Sequence, residues 1–173
     1  MNIRPETPAD YPAVYEVNKL AFDNRDQEPQ LVENLRRLPG VISLVAEQDP
    51  QIVGHILFTP IYIEIEGSPD SNRKKLPAIS LAPLAVRPGH QNQGVGMALS
   101  RRGLEECKAQ GHKIVLVLGH SNYYPRFGFS ATLAEPLIGP WGSGEHWMAL
   151  ELVPGALDGV RGKVIYPKAF ENV

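Results

Sequence analysis

The spacing of apolar positions changes twice along the chain, and each change marks a new kind of element. Met1-Asn2-Ile3-Arg4 reads as a short strand, and Thr7-Pro8-Ala9-Asp10 then supplies an N-cap, a first-turn proline and an acid three residues on. Tyr11, Val14, Val17 and Ala21 recur at helical spacing. Beyond the break at Asp23-Asn24-Arg25-Asp26, Leu31, Leu35 and Leu38 define a second amphipathic helix, which Pro39-Gly40 ends. From Ile42 the period becomes two: Ile42, Leu44 and Ala46 alternate up to the turn Gln48-Asp49-Pro50-Gln51, which predicts a hairpin returning from Ile52 towards Phe58. Past Pro60, Ile61 to Glu66 alternates as a half-buried strand does, and Gly67 to Lys75 reads as a polar loop.

Leu76 to Val86 is mostly apolar but carries Pro77 and Pro83. A proline removes a ladder donor, so this strand is expected to be bulged or locally unpaired. Gln91-Asn92-Gln93-Gly94-Val95-Gly96 leads into a helix to about Gln110, followed by Gly111 and the buried strand Ile114 to Leu118. A crossover of that length predicts two parallel strands joined by a right-handed connection. Short strands are expected near Met148 to Leu152 and Val164 to Tyr166. The sequence shows no repeat, low-complexity tract or linker, and residues 1–173 read as a single domain.

Composition narrows the function. Hydrophobic residues at 43% and charged residues at 21% suffice for a real core, which argues against disorder. Lys and Arg number 17 against 19 Asp and Glu, so no electrostatic drive towards nucleic acid is expected. The longest clean apolar run, Ile114 to Leu118, falls far short of the ~20 residues that cross a bilayer, and no signal-peptide core opens the sequence. A soluble, cytoplasmic protein without a membrane partner is the expectation. The one cysteine, Cys107, excludes an internal disulfide and fits a small buried side chain better than a nucleophile. His55, His90, His112 and His146 have no ligand spacing, so no metal is expected.

Gly94 and Gly96 stand where a helix begins, and there uncovered backbone N–H groups at the positive end of the dipole bind phosphate. Glycine also lets a diphosphate approach closely. Packing and capping are the alternative uses of two such glycines. The segment has neither the dinucleotide spacing nor a Gly-Lys-Ser/Thr ending, which weakens nicotinamide and ATP readings; coenzyme A also carries a pyrophosphate.

Leu84-Ala85-Val86-Arg87-Pro88 followed by Gln91-x-x-Gly94-x-Gly96 resembles the acetyl-CoA motif of the GNAT N-acetyltransferases. Tyr124-Pro125-Arg126-Phe127-Gly128-Phe129 resembles their second signature, and with Leu81-x-Pro83-Leu84-Ala85-Val86 it is similar to the YhbS-like branch. The resemblance covers essentially the whole chain. It implies an α/β, single-domain GNAT (acyl-CoA N-acyltransferase) fold: a mixed, mostly antiparallel sheet splayed between two central parallel strands and flanked by helices. It implies an N-acetyltransferase with acetyl-CoA as co-substrate and a primary amine, not identified by the sequence, as acceptor in a ternary complex. It allows a homodimer. Pantetheine would bond the backbone of Leu84 and Val86, on either side of Ala85. The loop Gln91, Asn92, Gln93, Gly94, Val95, Gly96 and Met97 would hold the pyrophosphate.

By the same resemblance Tyr124 is the general acid towards the CoA sulfur. A phenol near pKa 10 protonating a thiolate near 8.5 is uphill by about 2 kcal/mol in water, but a hydrogen bond to the developing charge already lowers the barrier. The need for a base depends on the acceptor: neutralising a lysine-like amine at pH 7 costs about 4.6 kcal/mol, an α-amine about 1 to 2 kcal/mol. Glu28, near the start of the second helix, lies in the segment that by resemblance covers the acceptor side; first-turn dipole complementarity is its other role. His120 follows the strand Ile114 to Leu118, where ligands of α/β sheets gather, and an imidazole near pKa 6.5 suits proton transfer. Arg126 reads as forming a turn-stabilising salt bridge, with a phosphate or an acidic substrate group as its alternative partner. The asparagine-led helix expected before the tyrosine is shortened to Gly119-His120-Ser121-Asn122-Tyr123, so no family contact is carried over to Asn122. The rival class is a non-catalytic acyl-CoA sensor or interaction module, which would keep the glycines and need no acid or base.

Overall fold

The computed structural model describes residues 1–48, 50–67 and 74–172. Asp49, at the expected hairpin turn, and residues 68–73 of the expected polar loop lie outside them. The chain forms two compact units, residues 1–59, 81–106 and 168–173 in the first and residues 60–80 and 107–167 in the second. Two strands, β3 (Gln51–Ile65) and β4 (Lys75–Val86), run through both.

In the first unit, β1 (Asn2–Pro5) pairs antiparallel with β2 (Ile42–Gln48), and β2 pairs antiparallel with β3 from Ile42↔Phe58 to Gln48↔Gln51. Helix α1 (Tyr11–Ala21) follows a 3-10 turn in which Thr7 and Asp10 form the expected capping box. Asp10 also receives two hydrogen bonds from Arg4, at 2.7 and 2.9 Å, which hold its carboxyl well below the usual range. Left-handed Asp23 and Asn24 (φ 56° and 62°) stop α1, and α2 (Gln27–Leu35) begins three residues later. The helix ends at Leu35, so Leu38 continues the apolar face from a turn, its N–H donating to Leu35 O.

Residues of β3 alternate between two helical layers. Gly54 and Phe58 face α3 (Val95–Ala109): a Cβ on Gly54 would stand 2.8 Å from both Val95 Cγ1 and Leu99 Cδ1, and Gly103 lies against the Phe58 ring. His55, fully buried, faces α1. Asn18 Nδ2 donates to Val14 O and to His55 Nδ1, each at 3.0 Å. Ser43 Oγ donates to Glu6 Oε2 at 2.9 Å and so accepts from His55 Nε2 at 2.8 Å. The imidazole is therefore neutral with its hydrogen on Nε2. Arg36 closes the chain with a bidentate contact to Glu6.

In the second unit, β3 pairs antiparallel with β8 (Gly162–Ile165), from Tyr62↔Ile165 to Ile65↔Gly162. β4 pairs parallel with β5 (Ile114–Leu118) through Ile79↔Val115 and Ser80↔Leu116, and β5 pairs antiparallel with β7 (Trp147–Glu151). The parallel pair is the one that the strand-helix-strand pattern predicts. Ile61, Ile63, Ile114, Leu116, Trp147 and Val164 build its core. Two further elements carry no periodic signal: α4 (Ala131–Ala134), capped by Ser130, and β6 (Leu137–Ile138), which pairs parallel with β8.

Pro60 and Pro83 lie outside the ladders with β2, β8 and β5. Pro60 does not interrupt β3, because it falls between the last pair with β2 at Phe58 and the first with β8 at Tyr62. Pro83 stands beyond the β4/β5 ladder, which ends at Ser80.

Candidate active site

In the first unit, β4 ends at Val86 and Arg87 N–H still bonds the sheet through Val53 O at 2.8 Å. The chain then turns through left-handed Gly89, Asn92 and Gly94 (φ 92°, 60° and 86°). Gln91 Nε2 donates to Val86 O at 3.1 Å and Gln93 Nε2 to Gly89 O at 3.3 Å, so both glutamines brace the loop from within. Gly94 O accepts from Ala98 N–H at 3.0 Å, the first bond of α3. The N–H groups of Val95 and Gly96 consequently have no acceptor within the helix and lie at its positive end. Residues 91–94 are exposed, whereas Val95 is buried and seats the first turn on Gly54. The result is a fixed cradle of backbone donors suited to an anion.

Glu28 occupies the first turn of α2 and is 9% exposed. Its Oε1 accepts from Arg25 Nη2 at 2.6 Å; its Oε2 is buried and has no hydrogen-bond partner among the described residues. An acid that merely complemented a helix dipole would sit in water. Glu28 instead keeps one acceptor oxygen out of solvent.

In the second unit, β5 leads through Gly119 into a tight turn. His120 O accepts from Tyr123 N–H (3.1 Å) and Tyr124 N–H (3.3 Å), and Gly128 in the left-handed region (φ 99°) closes the following 3-10 turn Tyr124–Phe127. The Tyr124 ring is 8% exposed and meets Tyr123 (centroids 5.0 Å, 85°) and Phe129 (5.6 Å, 77°) edge to face. Burial, with a smaller contribution from Tyr123, raises its phenol above the ordinary tyrosine range, so it keeps its proton at neutral pH. The His120 side chain is exposed. Arg126 holds the turn through Tyr123 O at 2.9 Å and lies 4.8 Å over the Tyr123 ring.

Of the residues singled out in the sequence, Glu28 and Leu84 to Met97 thus lie in the first unit, and His120 and Tyr124 in the second. Cys107 is buried. No group of three or more His, Cys, Asp or Glu able to hold a metal occurs among the described residues, nor any helix long and apolar enough to cross a membrane. Sequence reasoning missed Gly54 and Gly119, whose neighbours in space are distant in the chain or unreadable as neighbours.

Comparison with known proteins bears on the family and the fold. The acetyltransferase (GNAT) domain matches residues 2–132. The N-acetyltransferase YhbS of Escherichia coli K12 is 30% identical over 176 residues, covering 99% of both chains. The N-acetyltransferase YjhQ of the same organism is 39% identical over 132 residues, covering 75% of this chain and 66% of its own. Among solved structures, that of E. coli YhbS in complex with CoA has a TM-score of 0.83 at 31% identity, covering 98% of this chain and 91% of its own. A GNAT family acetyltransferase from Brucella melitensis in complex with acetyl-CoA has a TM-score of 0.76 at 32% identity, covering 98% and 97%.

Proposed function

The chain belongs to the GNAT acetyltransferases, and from that premise we propose that it carries the acetyl group of acetyl-CoA to a primary amine by direct attack in a ternary complex. The observation that carries the coenzyme half is the left-handed turn through Gly94 into α3, where backbone N–H groups of the first helical turn and the helix dipole suit a pyrophosphate. The YhbS and Brucella structures, which hold CoA and acetyl-CoA, support the same ligand here. Leu84 and Val86 would bond pantetheine as an added strand does. The single cysteine and the balanced charge fit a cytoplasmic enzyme acting on amines rather than on nucleic acid.

In this mechanism the amine nitrogen bonds to the thioester carbonyl carbon, the C–S bond breaks, and the sulfur leaves with the electron pair. Tyr124, the general acid, meets that charge with its O–H; the raised pKa makes the hydrogen bond the main benefit and complete proton transfer its uphill limit. The amine must also lose a proton. Glu28 Oε2, buried and without a partner among the described residues, is the first candidate to take it, and exposed His120 the second.

The test is the melting temperature of the protein with acetyl-CoA, free CoA and, as control, adenosine diphosphate. A saturable rise with acetyl-CoA that Gly96→Glu diminishes is the expected result; no rise at about millimolar ligand removes the coenzyme reading. A screen of primary amines by CoA release follows, in which Tyr124→Phe should lower kcat by about a hundredfold. Coenzyme binding without turnover of any amine would instead point to the acyl-CoA sensor. Across pH, the acidic limb of kcat/KM, which reports the base losing its proton, should move in Glu28→Gln, and in His120→Ala if the imidazole is the base; profiles unchanged in both would remove them.

A further inference from the structure

We infer that Gly119 is a positioning residue for Tyr124, an inference that rests on the role of Tyr124 proposed above. Gly119 is not in the left-handed region, so its backbone has no need of glycine. What excludes a side chain is the Tyr124 ring: a Cβ on Gly119 would collide with Cε2 and stand 2.9 Å from Cδ2. These are ring atoms, and the ring cannot swing away freely, because Tyr123 and Phe129 hold it edge to face.

The strand end is itself fixed. Gly119 N–H donates to His146 O at 2.9 Å, extending the β5/β7 ladder beyond Leu118↔Trp147. His146 Nδ1 lies 3.1 Å from Gly119 O, and since a carbonyl only accepts, Nδ1 carries the hydrogen. Gly119 is thus clasped at both backbone groups by the residue that precedes β7. Tyr124 is seated against a bare backbone that these two contacts hold. The hydroxyl position then follows from the ring position, and a displacement of about 1 Å at a reacting group is enough to lower a rate substantially.

The experiment uses the purified full chain in which tyrosines are replaced by fluorotyrosine, with the Tyr124 fluorine resonance identified by its loss in Tyr124→Phe. Gly119→Ala should shift that resonance, and His146→Ala should shift or broaden it. His146→Asn, whose amide nitrogen takes the place of Nδ1, should restore it. With the first amine that the screen above finds acetylated, Gly119→Ala should lower kcat by at least about tenfold and leave KM for acetyl-CoA within about twofold. An unmoved Tyr124 resonance in Gly119→Ala and His146→Ala overturns the inference, whatever the kinetics. So does a kcat within about twofold of wild type in both variants while Tyr124→Phe falls. Should Tyr124→Phe itself retain full activity, the acid role fails, and the resonance still reports whether Gly119 seats the ring. Should Gly119→Ala not fold, the His146 pair decides.

Discussion

At the scale of single residues, the hydrogen-bonded chain Asn18, His55, Ser43, Glu6 and Arg36 has a definite pH signature. Burial first, and the Arg36 charge second, lower the His55 pKa from 6.5 to about 3. The unfolded chain therefore binds a proton below about pH 6.5 that the folded chain refuses until about pH 3, and stability falls as pH drops through that window. It is fully present above the window. One proton is worth at most about 1.4 kcal/mol per pH unit, so lowering pH from 6.5 to 5 should cost roughly 2 kcal/mol from this group. Urea unfolding at pH 7 and pH 5 checks this: His55→Gln should be less stable at pH 7 but lose less on acidification. An equal loss in the variant would assign the acid sensitivity elsewhere. Asp10, held low by Arg4, adds its own loss only at more acidic pH.

At the scale of elements, the seat of α3 on β3 links fold to coenzyme. Gly54 lets Val95 and Leu99 come down onto the strand, and Val95 is also the first residue of the helix whose amino end is the proposed pyrophosphate site. Gly54→Val should cost about 1–3 kcal/mol by overpacking and should reduce the acetyl-CoA-induced rise in melting temperature. A destabilised variant with the full ligand-induced rise would show that the cradle does not depend on this packing. The same comparison explains what could be read in advance. The helices α1 and α3, the β2/β3 hairpin, β5 and the loop at Gly94 are written in local spacing, and they stand where that spacing puts them. The long continuous β3 was not legible at Pro60, because tolerance of a proline there depends on two partner strands, one contributed about a hundred residues later. With four and two residues, α4 and β6 are too short to show a period. Gly119 reads as an ordinary strand end until the Tyr124 ring is seen beside it. The buried Oε2 of Glu28 is likewise a fact of packing, whereas its place in a first helical turn is a fact of sequence.

At the scale of the molecule, β3 and β4 each contribute residues to both units. The single-domain reading predicts one cooperative transition. Both tryptophans, Trp141 and Trp147, belong to the second unit, while α1 and α2 and most of α3 belong to the first. Tryptophan fluorescence and helical circular dichroism should therefore give coincident denaturant curves; separated midpoints would make the units independent. The β3/β8 pairing has a further consequence, in the time the chain takes to become itself. Tyr62 must wait for Ile165, so this ladder closes a large loop and joins the fold late. Until then Ile61, Ile63 and Ile65 leave an open apolar edge on which a second chain could stack, and the charge of Glu64 in the middle of that run acts as a gatekeeper against aggregation during the wait.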